Sequence, residues 1–278
     1  MVHFKRLILS LSAMFQLTNC ATPAKTDDRS NIQIKSEDSS EISITDFVSR
    51  TGQANYQPGG KSLPVAKTFL AQWILCSPAA KKSDSTSQPV QTVIAFHRFD
   101  AGFSPTEFCK GWIGQVFLKN GFQVIGINRP NYVGSIGPDD LSGRDSLNAI
   151  DAAVKQSKVE NLVGCWGYDT GTIAASFYAK SNSEKIKWLI LGGGIYDLES
   201  YLESRSIAWD NHGLPKSIYL YHAIDDTFAP VNQANSFSDQ LRTSEFKVFK
   251  TDINSGGHDL PWRAHMKIVD QAIKQVSQ

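Results

Sequence analysis

The chain has 278 residues, of which 41% are hydrophobic, and its formal net charge at pH 7 is +1. This length suits one large α/β domain with additional segments, or two small domains, and the apolar fraction is sufficient for a sizeable core. The near-neutral charge gives no indication of nucleic acid or of a strongly acidic partner. The four cysteines include no C-x-x-C pair, and no His/Cys cluster indicates a metal site, so we expect neither a metal nor another cofactor.

Residues 1–20 have the organisation of a signal peptide. A positively charged N-terminal segment with Lys5 and Arg6 precedes an apolar run, 7–17, that is too short to span a bilayer. The run ends in Leu-Thr-Asn-Cys, which resembles a bacterial lipobox with Cys20 as the lipidated residue, although Asn19 departs from the usual small residue. Cleaved secretion and an N-terminus without a targeting role are the alternatives. We expect an exported protein of the bacterial cell envelope, either periplasmic or anchored in the membrane by acyl chains on Cys20.

The next segment, 21–45, is polar and rich in Ser, Asp and Lys. Because it cannot bury enough apolar surface to offset the entropy of ordering, it predicts a flexible tether. We place the folded domain at 46–278, with early strands at 42–50 and 68–77.

From residue 90 onward, short apolar runs alternate with segments of helical spacing. Strands are predicted at 90–96, 122–127, 162–166, 186–191, 218–222 and 246–249. Helices are predicted at 106–119, 146–156, 232–241 and 261–276, and directly after Gly171. Continuous apolar strands that alternate with helices indicate a mostly parallel sheet covered on both faces. Ligands of such sheets bind outside the carboxyl ends of the strands, so reactive residues are sought there.

The segment 161–175 predicts a sharp turn from a strand into a helix. The turn has the pattern Gly-x-Asp-x-Gly, with Gly167, Asp169 and Gly171, and the glycines let the two backbones come close. This is the spacing of the Gly-x-Ser-x-Gly nucleophile elbow, with Asp169 in the place of the serine. A carboxylate that only stabilises the helix N-terminus, by up to about 1 kcal/mol, is the alternative. That alternative does not explain a glycine on both sides of the turn.

The loop that begins at His97 follows the 90–96 strand, where an oxyanion loop would lie. The backbone N–H of Arg98 or Phe99, together with that of Thr170, is a candidate to hold a developing negative charge. The alternative is an ordinary loop with an Arg98–Asp100 salt bridge, since no Gly-Gly follows the histidine.

Two further loops carry an acid and a histidine. Asp225 and Asp226 follow the 218–222 strand, and either could orient a histidine while the other caps the next helix. His258 follows a Gly-Gly pair after the last strand, which suits a general base that must reach the elbow. The remaining histidines, His222 and His265 among them, are interpreted as structural.

The order elbow, acid, histidine resembles the α/β-hydrolase superfamily, whose triad runs nucleophile, acid, histidine along the chain. That superfamily often shows His-Gly-x-x-Asp-x-x-Val-Pro after the acid-bearing strand. His222, Asp226 and Pro230 fall in this register, which favours Asp226 over the preceding aspartate. Residues 129–135 are also similar to the Arg-Gly-x-Gly-x-Ser loop of these proteins. The resemblance implies an α/β-hydrolase fold over most of the chain.

Most members of the superfamily carry serine at the elbow, and Asp169 instead resembles the haloalkane dehalogenases and epoxide hydrolases. In those enzymes the carboxylate forms an alkyl ester with an sp³ carbon, and a histidine-activated water hydrolyses it. The resemblance then implies Asp169 as nucleophile, His258 as base and Asp226 as the orienting acid. A minimal cap and Thr170 after Asp169 depart from that subfamily and are closer to the dienelactone-hydrolase and esterase branch.

Two hypotheses follow. The first is a hydrolase of a small ester, epoxide or halide with the triad Asp169, Asp226 and His258. The second is a catalytically inactive binding protein on a hydrolase scaffold that has lost its serine. Either has a small molecule as partner, and the oligomeric state is not predicted. Whether Cys76 and Cys109 pair is also open, although an exported compartment would permit a disulfide.

Overall fold

The structure, a computed structural model, describes residues 29–32, 45–56, 69–79, 89–98, 102–130, 135, 144–196 and 213–278. The predicted signal peptide with Cys20 and most of the predicted tether lie outside the described residues, so export and lipidation stay predictions. None of the helices among the described residues combines the length and apolar composition needed to cross a bilayer.

Nine strands form one sheet in the described part of the chain, in the order β1-β9-β8-β7-β6-β4-β5-β3-β2. Their bounds are Arg29–Ile32 (β1), Phe47–Tyr56 (β2), Phe69–Pro78 (β3), Thr92–Phe96 (β4), Gln123–Ile127 (β5), Leu162–Tyr168 (β6), Trp188–Gly192 (β7), Ser217–Ala223 (β8) and Lys247–Ile253 (β9). β3 is antiparallel to β2 and to β5, and all other pairs are parallel. The predicted mostly parallel sheet is confirmed.

Five described helices cover the two faces of this sheet. They are Trp112–Lys119 (α1), Arg144–Ser157 (α2), Gly171–Ser181 (α3), Val231–Arg242 (α4) and Trp262–Val276 (α5). Side chains of α1 and α5, such as Phe117 and Ile268, share one buried apolar cluster, whereas α2, α3 and α4 contribute to the other. Every residue of β4, β6 and β7 is buried, which explains why their apolar runs show no alternation.

The N-terminal part of the sheet differs from the prediction. β2 spans Phe47–Tyr56 instead of 42–50, because its pairing with β3 continues through Gly52. This glycine does not break the strand: a Cβ there would come within 2.6 Å of the Trp73 ring, so the missing side chain makes room for the indole. β1, Arg29–Ile32, pairs in parallel with β9 and was not predicted.

The first helix is shorter than predicted. Thr106–Gly111 forms hydrogen-bonded turns, and α1 begins only at Trp112 because Gly111 has an extended backbone with φ −69° and ψ 165°. In this turn Cys109 forms a disulfide with Cys76 of β3, which settles the pairing that the sequence left open. Cys165 is a buried free thiol.

The strand order reverses beside β4, and this reversal positions the site. β4 lies between β5 and β6, so the loops after β4 and β6 leave the sheet in opposite directions. Phe96 and Gly167 face each other at the carboxyl ends of these strands. A crevice at such a point is the usual ligand site of an open parallel sheet.

Candidate active site

Asp169 lies at the turn between β6 and α3. Its backbone has a φ of +52°, in the left-handed region that residues other than glycine seldom adopt. A Cβ on Gly167 would come within 2.4 Å of the Gly171 carbonyl oxygen, and one on Gly171 within 2.5 Å of the Phe96 carbonyl oxygen. Both glycines are therefore required by the close approach of helix and strand, as the sequence predicted. The turn has the geometry of a nucleophile elbow, with a buried carboxylate at its tip.

Asp226 lies in the loop after β8 and is almost fully buried. Its Oδ1 accepts hydrogen bonds from the backbone N–H groups of Phe228 and Ala229, both at 2.9 Å. Its Oδ2 accepts one from His258 Nδ1 at 2.8 Å and lies 3.3 Å from His222 Nε2. The carboxylate is thus fixed from several sides, as an orienting acid must be.

Asp225 does not cap the next helix, so that part of the prediction is wrong. α4 has Pro230 at its N-terminal cap position and no side-chain cap. The Asp225 carboxylate instead accepts hydrogen bonds from the backbone N–H groups of Gly256 and Gly257, at 3.1 and 2.8 Å. Asp225 therefore fixes the loop that carries His258, whereas the acid that contacts the imidazole is Asp226. Both glycines have positive φ, +135° and +59°, which explains why glycine stands there.

His258 brings the three predicted groups together. Its Nδ1 bonds Asp226, and its Nε2 lies 3.4 Å from Asp169 Oδ1. The Tyr168 hydroxyl donates to the His258 carbonyl oxygen. The ring of Phe228, which is 60% exposed, lies against the imidazole with 4.6 Å between the ring centroids. Three groups that are distant in sequence thus meet at the carboxyl edge of the sheet.

The charges of the cluster are coupled. Burial would raise the pKa of Asp226, but hydrogen bonds from His222, His258 and the Ala229 N–H lower it to about 2. Burial also opposes a charge on His258, yet its contacts with the Asp169 and Asp226 carboxylates raise the pKa of the imidazole above its usual value. The imidazole is therefore more readily protonated than a free histidine, and it lies between two acids.

The loop after β4 is fixed by His97. Its Nδ1 donates to the Arg98 carbonyl oxygen at 2.6 Å, and its Nε2 accepts the Arg129 backbone N–H at 3.0 Å. The Arg98 side chain forms an ion pair with Asp259, whereas Asp100 and Phe99 lie outside the described residues. The buried Thr170 hydroxyl accepts a bond from the Arg129 guanidinium at 3.4 Å. The backbone N–H groups of Arg98 and Thr170 remain the predicted oxyanion donors.

Several residues near the cluster were missed or underrated in the sequence. His222 is buried at the end of its strand, as predicted, but it also contacts Asp226, and its i, i+4 spacing to that acid was the available signal. Tyr168 and His97 had no comparable signal, because their partners come from distant segments. In the described part of the chain, no group of three or more His, Cys, Asp or Glu residues is arranged to hold a metal ion.

No protein-family model matches the sequence, and no curated protein matches it significantly. Solved structures do match. S-formylglutathione hydrolase (FrmB) from Staphylococcus aureus is 13% identical, with a TM-score of 0.59 over 84% of this chain and 100% of that one. An esterase from Pyrococcus furiosus is 13% identical, with a TM-score of 0.58 over 82% and 93%. An α/β serine hydrolase without lid from Xanthomonas campestris is 13% identical, with a TM-score of 0.58 over 82% and 94%.

The chain has the α/β-hydrolase fold. This confirms the architecture that the resemblance implied. In enzymes with this fold the nucleophile, acid and histidine follow one another along the chain, and Asp169, Asp226 and His258 have the same order. At 13% identity the similarity establishes the fold and not the chemistry, so the chemistry must be argued from the site itself.

Proposed function

We propose that this protein is a hydrolase that acts on a small organic molecule through Asp169, Asp226 and His258. The observation that carries the proposal is the contact of one imidazole with two carboxylates: Asp226 at 2.8 Å and the elbow carboxylate of Asp169 at 3.4 Å. A binding site has no need of an acid and a histidine in this relation, whereas a triad does. The substrate class is an epoxide, an alkyl halide or an ester.

In the first step, an Asp169 carboxylate oxygen attacks an electrophilic carbon. A C–O bond forms to the enzyme, and the bond to the leaving group breaks with its electron pair. The carboxylate needs no proton removed before it attacks. If the leaving group is an epoxide oxygen, the His258 imidazolium is the proton donor of the cluster, and its raised pKa favours this charged form.

In the second step, water hydrolyses the enzyme ester. Esterification removes the negative charge of Asp169, so one of the two carboxylates that favour the imidazolium is lost. The His258 pKa falls, and the neutral ring becomes able to take a proton from water. Water attacks the Asp169 Cγ, and the N–H groups of Arg98 and Thr170 hold the developing oxyanion. The ester C–O bond then breaks, and the His258 imidazolium returns its proton to the departing oxygen, which leaves as an alcohol.

This chemistry favours an sp³ carbon over the acyl carbon of an ester. Attack of a carboxylate on an acyl carbon would give an anhydride, which is a poor intermediate. For an ester, Asp169 would act instead on the alkyl carbon or as a base for water. We therefore rank epoxides and alkyl halides first.

The decisive experiment is a single turnover in ¹⁸O-labelled water with excess enzyme, followed by mass spectrometry of the peptide that contains Asp169. The substrate is first chosen from a panel of epoxides, alkyl halides and esters, assayed with the wild type and Asp169→Ala. We expect turnover by the wild type, none by the variant, and one heavy oxygen in Asp169. Glu184→Ala, an exposed acidic residue of the α3–β7 turn, is the control for the loss of a carboxylate.

Turnover without label in Asp169 would contradict the covalent route. No turnover over the whole panel, with the fold intact, would favour the catalytically inactive binding protein, for which the absence of serine at the elbow is the supporting observation.

A further inference from the structure

A cavity of about 300 Å³ lies between the beginnings of α1 and α5, on the sheet face opposite α3. Aromatic rings are prominent among the described residues of its walls: Phe103, Trp112, Trp166, Tyr168, Trp262 and His265. None of these rings takes part in the proposed mechanism. Small-molecule sites are typically concave, mainly apolar and aromatic, with few polar groups.

Two residues of the wall, Trp166 and His265, have the Tyr221 hydroxyl as a common polar neighbour. The Trp166 indole N–H donates to the Tyr221 hydroxyl at 3.3 Å, and that hydroxyl lies 3.2 Å from His265 Nδ1. The Trp112 ring stacks on the His265 ring, with centroids 4.8 Å apart and planes 16° from parallel. Burial, and then the charge of Arg98, lower the pKa of His265 to about 3, so this imidazole is neutral at physiological pH. These aromatic walls therefore present flat, uncharged surfaces.

Among the described residues that line the cavity, Arg98 and Asp259 are charged, and they form an ion pair with each other. Their charges balance, so this pair gives the cavity no net charge to attract an anion or a cation. A neutral group is the occupant that this lining favours, because it leaves the ion pair intact.

The cavity wall is linked to the reacting groups through the chain and through one hydrogen bond. Tyr168, in its wall, directly precedes Asp169, and Asp259 directly follows His258. The Tyr168 hydroxyl also donates to the His258 carbonyl oxygen, so wall and cluster are joined by a hydrogen bond. A group held in the cavity would belong to a molecule whose remainder reaches the elbow.

We propose that this cavity binds a neutral aromatic group of one or two rings, carried by the substrate. Its volume is about twice that of an engineered cavity of ~150 Å³ that binds benzene. Aromatic rings pack well in offset or edge-to-face contact with the rings of the walls, which a saturated group of the same size cannot match. The link to turnover rests on the proposed hydrolase function, whereas the binding does not.

The test measures binding separately from catalysis. Isothermal titration calorimetry of the full chain compares 1-naphthol with decahydro-1-naphthol, its saturated analogue. Ile113→Trp places a bulky ring in the cavity, and Val48→Trp, on the exposed face of β2, is the matched control. We expect naphthol to bind the wild type and the control about equally, to bind Ile113→Trp roughly tenfold or more weakly, and to bind better than its analogue.

Equal binding of naphthol to the wild type and Ile113→Trp, no binding to the wild type, or no preference over the saturated analogue would overturn the proposal. If Ile113→Trp fails to fold by circular dichroism, Trp112→Ala replaces it, with the same roughly tenfold loss expected because the ring stacked on His265 is removed.

A kinetic comparison separates this proposal from the proposed function. Styrene oxide and 1,2-epoxypropane share the reactive ring, and Ile113→Trp should raise KM for the aromatic substrate alone. Naphthol binding that Ile113→Trp weakens, without turnover of any substrate, would leave the aromatic site standing and remove the hydrolase. Turnover of a substrate, together with naphthol binding that Ile113→Trp does not weaken, would support the hydrolase and remove the aromatic site.

Discussion

The charge of Asp169 should control the protonation of His258, and Asp169→Asn tests this directly. The asparagine keeps the size of the side chain but removes its charge, as ester formation would in the proposed first step. We expect the His258 pKa to fall in the variant, because one of the two carboxylates that stabilise the imidazolium is lost. The measurement thus examines the condition on which the second step depends.

The size of the effect follows from the distance. Two unit charges 4 Å apart interact with about 1 kcal/mol in water and about 4 kcal/mol at the effective dielectric of a protein surface. Here the atoms are 3.4 Å apart, with side-chain exposures of 12% for His258 and 4% for Asp169. Since about 1.4 kcal/mol corresponds to one pH unit, the His258 pKa should fall by about one to three pH units.

The assay is a pH titration of the histidine Cε1–H resonances by NMR, with the His258 signal assigned by its absence in His258→Gln. Asp259→Asn is the matched control, because this adjacent carboxylate is exposed and pairs with Arg98. Its effect on His258 should stay below about half a pH unit, as screening by solvent predicts. An equal pKa in the wild type and Asp169→Asn would refute the reasoning, since the elbow carboxylate would then not act on the imidazole.

Three further predictions concern stability. The Asp226 carboxyl has a pKa of about 2, against 3.8 in the unfolded chain, and therefore contributes about 2 kcal/mol to the free energy of unfolding. This contribution is present above pH 3.8 and is lost as the pH falls through 2. Asp226→Asn should remove this part of the acid dependence of stability, measured by urea titrations at several pH values. Gly171→Ala should lower the free energy of unfolding by about 1–3 kcal/mol, because its Cβ would lie 2.5 Å from a strand carbonyl oxygen, and Gly111→Ala, with 3.2 Å to its nearest neighbour, should cost less. Replacing Cys76 and Cys109 together by serine should cost about 3–4 kcal/mol, since the disulfide closes a loop of 33 residues; an unchanged unfolding midpoint would contradict this.

The sheet and its helices could be predicted because their signals are local. Fully buried parallel strands need continuous apolar runs, and β4, β6 and β7 show them. The elbow could also be predicted, because close backbone contacts at a fixed spacing require the two glycines. The register of His222, Asp226 and Pro230 also singled out the aspartate that the structure places against the histidine.

Features that depend on distant partners could not be predicted. A glycine such as Gly52 is unfavourable inside a strand. Only the structure shows that its missing side chain leaves room for the Trp73 ring on the neighbouring strand. The position of Asp225 before a helix favoured a helix cap. In the structure the backbone N–H groups of Gly256 and Gly257, about thirty residues later in the chain, donate to it instead. The aromatic cavity has no sequence signal either, because loop, helix and strand residues from four segments of the chain form it.

The raised pKa of His258 also bears on the order of the chemical steps. A serine nucleophile needs a neutral histidine at the start, because the ring must take the serine proton. A permanent carboxylate at the elbow works against this, since it favours the imidazolium. The conflict disappears if Asp169 loses its charge before the histidine acts as a base, which is what formation of an ester does. The arrangement of charges therefore fits a covalent step that precedes the activation of water, and it would be unsuited to a triad that activates the nucleophile first.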